Sequence, residues 1–170
     1  MTAGARRGMD LFFGEKYECF HCHGTVNFSD ATKTANSTFD EVLFHNTGLY
    51  NLDGLGAYPA SDQGLMRVTA KPGDMGRFRA PTLRNVALTA PYFHDGSAAT
   101  LDDVLDHYIR GGRLIEAGPN AGDGAQSPLR SGFIKPIDAT PQERADLLEF
   151  LDALTDEAML VDPALANPWP

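Results

Sequence analysis

Two cysteines and a histidine form the segment of this sequence with the clearest chemistry. Cys19 and Cys22 are separated by two residues, and His23 follows directly. Two thiols at this spacing can form thioethers with both vinyl groups on one edge of a porphyrin, and the next imidazole can then ligate the iron. The C-x-x-C-H pattern therefore predicts one covalently attached haem c, with Cys19 and Cys22 as attachment points and His23 as the proximal iron ligand.

Two other interpretations of the cysteine pair are weaker. A redox dithiol usually opens a helix in a βαβ setting, and the sequence shows no such unit. A four-cysteine zinc site is excluded because the chain has only 2 cysteines, and any other zinc site would need two more ligands at suitable spacing. His21, inside the motif, is expected to be exposed rather than a ligand, because it points away from an iron that His23 faces.

The composition limits the class of protein. The 170 residues, 42% hydrophobic and 22% charged, suit one globular domain. No run of about 18 apolar residues predicts a membrane span, and the net charge of -9 argues against a nucleic-acid partner. Haem c is attached on the oxidising side of a membrane, so we expect a periplasmic protein, although the first ten residues lack the apolar core of a secretory signal.

Local patterns predict a helix around 3–14, a second from the N-cap Thr100 to the stop at Gly111, and a third that begins at Thr140 with a capping box. The expected core face of the third helix includes Arg144's aliphatic stem, Leu147, Leu148, Leu151 and Leu154. Residues 24–98 show little sustained periodicity. The sequence therefore predicts an all-α, cytochrome c-like domain over 1–155, with long ordered loops around one haem, and an extended tail over 156–170.

A haem iron ligated on both faces needs a second side chain, and helical periodicity separates two adjacent candidates. Tyr108 lies in the centre of the apolar stripe of its predicted helix, whereas His107 falls well off that stripe. Periodicity alone still favours a core aromatic as the interpretation of Tyr108. The full set of candidates is Met66, Met75, His45, His94, His107 and Tyr108.

Three further runs carry a resemblance to a known family: residues 44–50 (FHNTGLY), 78–96 (FRAPTLRNVALTAPYFHDG) and 100–108 (TLDDVLDHY). Together they closely resemble the C-terminal half of bacterial di-haem cytochrome c peroxidases. Within these, the sequence is most similar to the MauG-type branch, including relatives associated with methanobactin operons. The similarity extends from about Gly8 to Leu154.

The resemblance implies roles for several residues. The peroxidases proper ligate the second face of this haem with a methionine on the helix after the His-Asp-Gly run, whereas the MauG-type branch has a tyrosine, and Tyr108 stands at the matching place. Thr89 and Pro91 match positions whose backbone carbonyls bind a calcium ion between two haem domains. We also expect Arg84 to approach a haem propionate, because a guanidinium suits carboxylates.

The sequence departs from that family in one respect. Family members have two C-x-x-C-H motifs and this chain has one, so the resemblance implies the electron-transferring half of a peroxide-reducing oxidoreductase, whose peroxide-reactive haem lies in the other half. The expected partners are that N-terminal haem domain or a separate redox protein, with a protein substrate as in MauG-type relatives.

A haem ligated on both faces has no open site for peroxide, so the chain alone is not expected to be a competent peroxidase. The alternatives are a stand-alone mono-haem cytochrome and, as a minor one, a haem-free thiol protein.

Overall fold

Over the residues that the structure describes, six helices and two short strand pairs make up the architecture. The computed structural model describes residues 1–24, 26–31, 43–166 and 169. The α-helices are α1 Ala3–Phe12, α2 Phe20–His23, α3 Met66–Thr69, α4 Leu101–Arg110, α5 Pro141–Asp152 and α6 Glu157–Val161. The antiparallel strand pairs are β1 Phe44–His45 with β2 Phe78–Arg79, and β3 Leu114–Ile115 with β4 Gly122–Asp123. Single 3-10 turns lie at Pro72–Asp74, Val86–Leu88, Gly124–Gln126 and Pro163–Leu165.

Helices α1 and α5 cross with their backbones in close contact. A Cβ added to Gly8 would lie 1.9 Å from the carbonyl oxygen of Asp146 and 2.8 Å from Cβ of Phe150, so only glycine allows this approach. Arg7 then forks onto Asp146, with Nε and Nη2 donating to the two carboxylate oxygens at 2.8 and 2.6 Å. Phe12 packs on Phe150 with ring centroids 5.2 Å apart. The crossing fixes the end of α1, and with it the start of the cysteine segment.

Helix α4 begins and ends where the sequence predicted. The side chain of Thr100 accepts from the backbone N–H of Asp103, whose carboxylate in turn accepts from the N–H of Thr100. Gly111 ends the helix with φ 78°, a left-handed conformation that glycine adopts without cost. Both predicted caps of α4 are confirmed.

Helix α5 has the predicted capping box, but its buried face differs from the expected one. Leu147 and Leu151 are buried as predicted, and Phe150, which the expected face left out, is 1% exposed. The guanidinium of Arg144 instead reaches α4, where its Nε donates to Asp102 at 2.7 Å and its Nη1 donates to Asp106. Arg144 thus joins the two helices at their polar edge.

The apolar interior has two parts. The first lies between α1, α4 and α5 and contains Phe12, Tyr17, Val86, Leu105, Leu147, Phe150 and Leu151. The second lies under the loop 46–58 and contains Leu49, Tyr50 and Tyr58, with Met75 packed against it. Between the strands and turns, the described residues from 24 to 98 contain only short elements, in agreement with the weak periodicity of this stretch.

The segment after residue 155 is not simply extended. Asp156 caps α6 by accepting from the N–H groups of Ala158 and Met159. Asn85 holds the start of this segment: its backbone N–H donates to Leu154 at 3.0 Å, and its side-chain oxygen accepts from the N–H of Asp156 at 2.6 Å. The tail therefore continues from α5 as a short helix tied to the loop over 78–96.

A search of the described residues finds no helix with the length and apolar character needed to cross a membrane.

The helix crossing gives a direct test. We expect Gly8→Ala to lower the free energy of unfolding by about 1–3 kcal/mol, since the added methyl group meets the backbone of Asp146 and helix propensity returns only about 0.5–1 kcal/mol. Denaturant unfolding of the purified protein measures this. Gly132→Ala is the matched control, because an added Cβ there has no atom within 4 Å; it should change stability by less than about 0.5 kcal/mol. Equal stability of the two variants would contradict the close crossing.

Candidate functional site: a haem c attachment turn

The cysteine segment forms one turn of helix, which follows α1 after the short connection over 13–18. The N–H groups of Cys22 and His23 both donate to the carbonyl of Cys19, at 3.3 and 3.0 Å. The two cysteines are therefore successive positions on one side of the turn. Both are free thiols and half-buried. This is the presentation that two thioether bonds to one porphyrin edge require.

The imidazole of His23 is held in one tautomer. Its Nδ1 lies 2.8 Å from the carbonyl oxygen of Phe28, so Nδ1–H donates and Nε2 keeps its lone pair for a metal. Phe28 adopts a left-handed backbone, φ 51°, which is uncommon for a bulky residue. Burial lowers the pKa of His23, which favours the neutral form that ligates iron.

The electrostatics of the two thiols do not suit a redox dithiol. Burial raises the pKa of both Cys19 and Cys22 to about 12, so both are protonated near neutral pH. Reactive dithiols in C-x-x-C motifs instead have a depressed thiol pKa. The described donor groups also offer no zinc site that includes both cysteines, because the donors close to Cys22 are Asp30 and His45.

Tyr108 lies on α4 and faces the cysteine turn. Burial is the main cause that raises the pKa of its phenol, and the nearby Cys22 and Cys19 raise this pKa further. Its ring is 6.4 Å from that of Phe93. Within the described part of the chain its hydroxyl makes no hydrogen bond, unlike Tyr92, whose hydroxyl donates to Val86 at 2.9 Å. A phenol on the buried side of the helix, with no hydrogen-bond partner among the described residues, is available to bind a metal ion.

The expectation that His107 falls off the buried face of α4 is wrong. His107 is 5% exposed, and its Nε2 donates to the carbonyl of Thr47 at 2.9 Å. Burial lowers its pKa to about 4. Helix α4 is covered on two sides, by the first core and by the loop after β1, so the helical wheel alone could not separate the two residues.

Three of the other four candidate ligands make contacts of their own, and no contact of the Met66 side chain is seen among the described residues. His45 donates through Nε2 to Asp30 at 2.5 Å. His94 stacks on Phe78 at 3.7 Å, with its Nε2 3.6 Å from Asp62. Met75 packs on the second core, and Met66 opens α3.

The remaining predicted site residues lie in the loop over 78–96. Arg84 is exposed, and its Nη2 donates to the carbonyl of Val26 at 3.1 Å; it shares a surface depression of about 540 Å³ with Arg79. Thr89 and Pro91 are also exposed, and no described N–H donates to either carbonyl oxygen. The propionate role of Arg84 and the calcium role of Thr89 and Pro91 stay predictions.

His21, which we expected to be exposed, is half-buried. Its ring stacks between Phe20 at 4.3 Å and Phe133 at 4.0 Å. It is thus held on the outside of the turn by aromatic contacts.

Asp30, beside the site, and Asn46, which follows His45 in the chain, were missed from the sequence. Asp30 contacts Cys22 and His45. Asn46 is fully buried: its side-chain nitrogen donates to the carbonyl of Met75 at 2.9 Å, and its side-chain oxygen accepts from Tyr58 at 2.9 Å. The FHNTGLY run was the available signal for Asn46, whereas no motif singled out Asp30.

The donor set fits haem c. Two half-buried thiols share one turn, the adjacent imidazole donates through Nδ1 to Phe28 and so can ligate a metal through Nε2, and the phenol of Tyr108 on α4 lies near both thiols. A thiolate zinc site or a redox dithiol would need thiols with a lowered pKa, and the thiols here have a raised one. These groups are of the kinds that attach a c-type haem and ligate its iron.

Comparison with known proteins is consistent with this site. No protein-family profile matches the sequence. Cytochrome-c peroxidase IdrP1 of Pseudomonas sp. strain SCT is 35% identical over 99% of the chain and 45% of its own length. Methylamine utilization protein MauG of Methylorubrum extorquens is 34% identical over 91% of the chain and 35% of its own length.

A solved structure is more similar still. The crystal structure of a MauG-like protein associated with microbial copper homeostasis superposes with a TM-score of 0.96 at 56% identity, over 100% of this chain and 49% of that chain. The chain thus spans between 35% and 49% of the length of these three relatives. With the attachment turn, the shared fold and these identities in agreement, this chain belongs to the cytochrome c peroxidase/MauG family of haem redox proteins.

Proposed function

We propose that this chain is a cytochrome c-like, mainly α-helical haem c domain that transfers electrons as the C-terminal half of a two-haem, MauG-like oxidoreductase. The observation that carries the proposal is the turn of α2, which presents Cys19, Cys22 and a tautomer-fixed His23 to Tyr108 on α4. The chain covers 49% of the similar MauG-like structure, which supports its assignment to one half of a larger enzyme.

The residues divide the work of holding the cofactor. Cys19 and Cys22 would bind it covalently, His23 would ligate the iron through Nε2, and Tyr108 would ligate the opposite face. Bound haem c supplies reversible one-electron exchange, and phenolate ligation would favour the ferric state relative to methionine ligation. The hydrogen bond from Nδ1 of His23 to the backbone carbonyl of Phe28 holds the imidazole in position, so little reorganisation is needed when the charge on the iron changes.

The other haem domain is the proposed site of peroxide reduction. With both faces of this haem ligated by protein, this half would relay electrons rather than react with peroxide. We propose a periplasmic enzyme, since haem c is attached there, with a redox protein or a protein substrate as its electron source. The backbone carbonyl oxygens of the exposed residues Thr89 and Pro91 would ligate a calcium ion between the two halves.

Covalent attachment can be tested directly. We expect the protein, expressed with haem-maturation machinery, to give a pyridine haemochrome spectrum of one haem per chain. Cys19→Ala combined with Cys22→Ala should abolish haem that survives denaturation, because no thioether can form. His21→Gln is the control within the motif and should keep covalent haem, since the His21 ring stacks on Phe20 and Phe133 and supplies no thioether. Denaturation-resistant haem in the double variant would refute the assignment.

The distal ligand has its own test. We expect Tyr108→Phe to retain covalent haem but to change the ferric spin state, because the phenolate oxygen is lost from the iron. Electron paramagnetic resonance of the ferric protein measures this. Tyr92→Phe is the control: it removes a hydroxyl bonded to Val86 and should leave the spectrum unchanged. An unchanged spectrum in Tyr108→Phe would exclude Tyr108 and leave Met66 and Met75 as candidates.

A further inference from the structure

A buried carboxylate–imidazole pair lies beside the haem-attachment turn. Nε2 of His45 donates to Oδ2 of Asp30 at 2.5 Å, and the two side chains are 16% and 11% exposed. A carboxylate oxygen of Asp30 and a ring nitrogen of His45 both lie within 4.8 Å of the sulfur of Cys22. A charge this well covered is weakly screened by solvent and salt.

The backbone holds Asp30 in this place. Its N–H donates to the carbonyl of Cys22 at 2.8 Å, so the loop that carries the acceptor for His23 folds back on the attachment turn. His45 lies on β1, where it pairs with Phe78. The pair therefore joins the turn, the proximal loop and the strand pair.

The carboxylate is incompletely compensated. Oδ1 of Asp30 is buried and has no hydrogen-bond partner among the described residues. Native proteins leave few buried polar atoms unpartnered, and such atoms call for an explanation. A metal ion shared with Cys22 and His45 does not suit the holoprotein, because the sulfur of Cys22 is assigned to the thioether. Asp30 also interacts electrostatically with His23, the imidazole that would ligate the haem iron.

We propose that Asp30, held by His45, is an electrostatic positioning residue of this haem: its buried negative charge lowers the reduction potential. The inference rests on the proposed function, because it needs haem attached at Cys22. The physical reason is that an anion close to the haem stabilises the ferric form, which carries one more positive charge than the ferrous form. His45 fixes the carboxylate in place against this turn.

The experiment compares reduction potentials of the haem-loaded protein by spectroelectrochemical titration. Asp30→Asn and Asp30→Ser remove the charge with side chains of different shape, and Asp30→Glu retains it. Asp62→Asn is the matched control, because Asp62 also pairs with a histidine, His94 at 3.6 Å, but is 45% exposed. Electron paramagnetic resonance spectra of each ferric variant establish that the iron ligation is intact.

We expect both neutral variants to shift to a higher potential with unchanged resonance spectra, and the Glu variant and the control to stay near the wild-type value. Neutral variants at the wild-type potential would overturn the inference, as would an equal shift in Asp62→Asn. Loss of covalent haem from both neutral variants, with the Glu variant loaded, would also overturn it by assigning Asp30 to folding. A wild-type protein without covalent haem would instead refute the proposed function, so the two failures are distinguishable.

Discussion

The close contact between the backbones of Gly8 on α1 and Asp146 on α5 holds the helix that leads into the cysteine segment. Because a Cβ at Gly8 would lie 1.9 Å from the carbonyl oxygen of Asp146, the two helices can approach only with glycine at the crossing. The fork from Arg7 to Asp146 then fixes their rotation. The attachment turn starts seven residues after α1 ends, so its position follows from this contact.

A second constraint acts on the proximal imidazole. The loop after the turn returns twice to the site: the carbonyl of Phe28 accepts from His23, and the N–H of Asp30 donates to Cys22. Ser29, between them, donates to the carbonyl of Ala80 at 2.7 Å, which ties the loop to the segment after β2. The tautomer of His23 and the burial of Asp30 are thus two consequences of one folded-back loop.

Helix α4 links the opposite face of the site to the rest of the domain. Its caps set its length, Arg144 joins its polar edge to α5, and His107 fastens it to the loop after β1. These contacts on three sides orient Tyr108 toward the cysteine turn. A ligand to the opposite face can therefore come from a helix far from the motif in sequence, because packing rather than chain proximity positions it.

The features that depend on local chemistry could be predicted from the order of the amino acids: the attachment motif, the N-cap at Thr100, the capping box at Thr140, the stop at Gly111, and the family resemblance carried by contiguous runs. These are set by residues within a few positions of one another, so spacing alone reveals them. The burial of His107, the packing of Phe150 on α1, and the meeting of Asp30 with His45 beside Cys22 became visible only in the folded chain. Each of these depends on which distant segment covers a given face, and a periodic pattern records that a face is apolar without recording what packs on it.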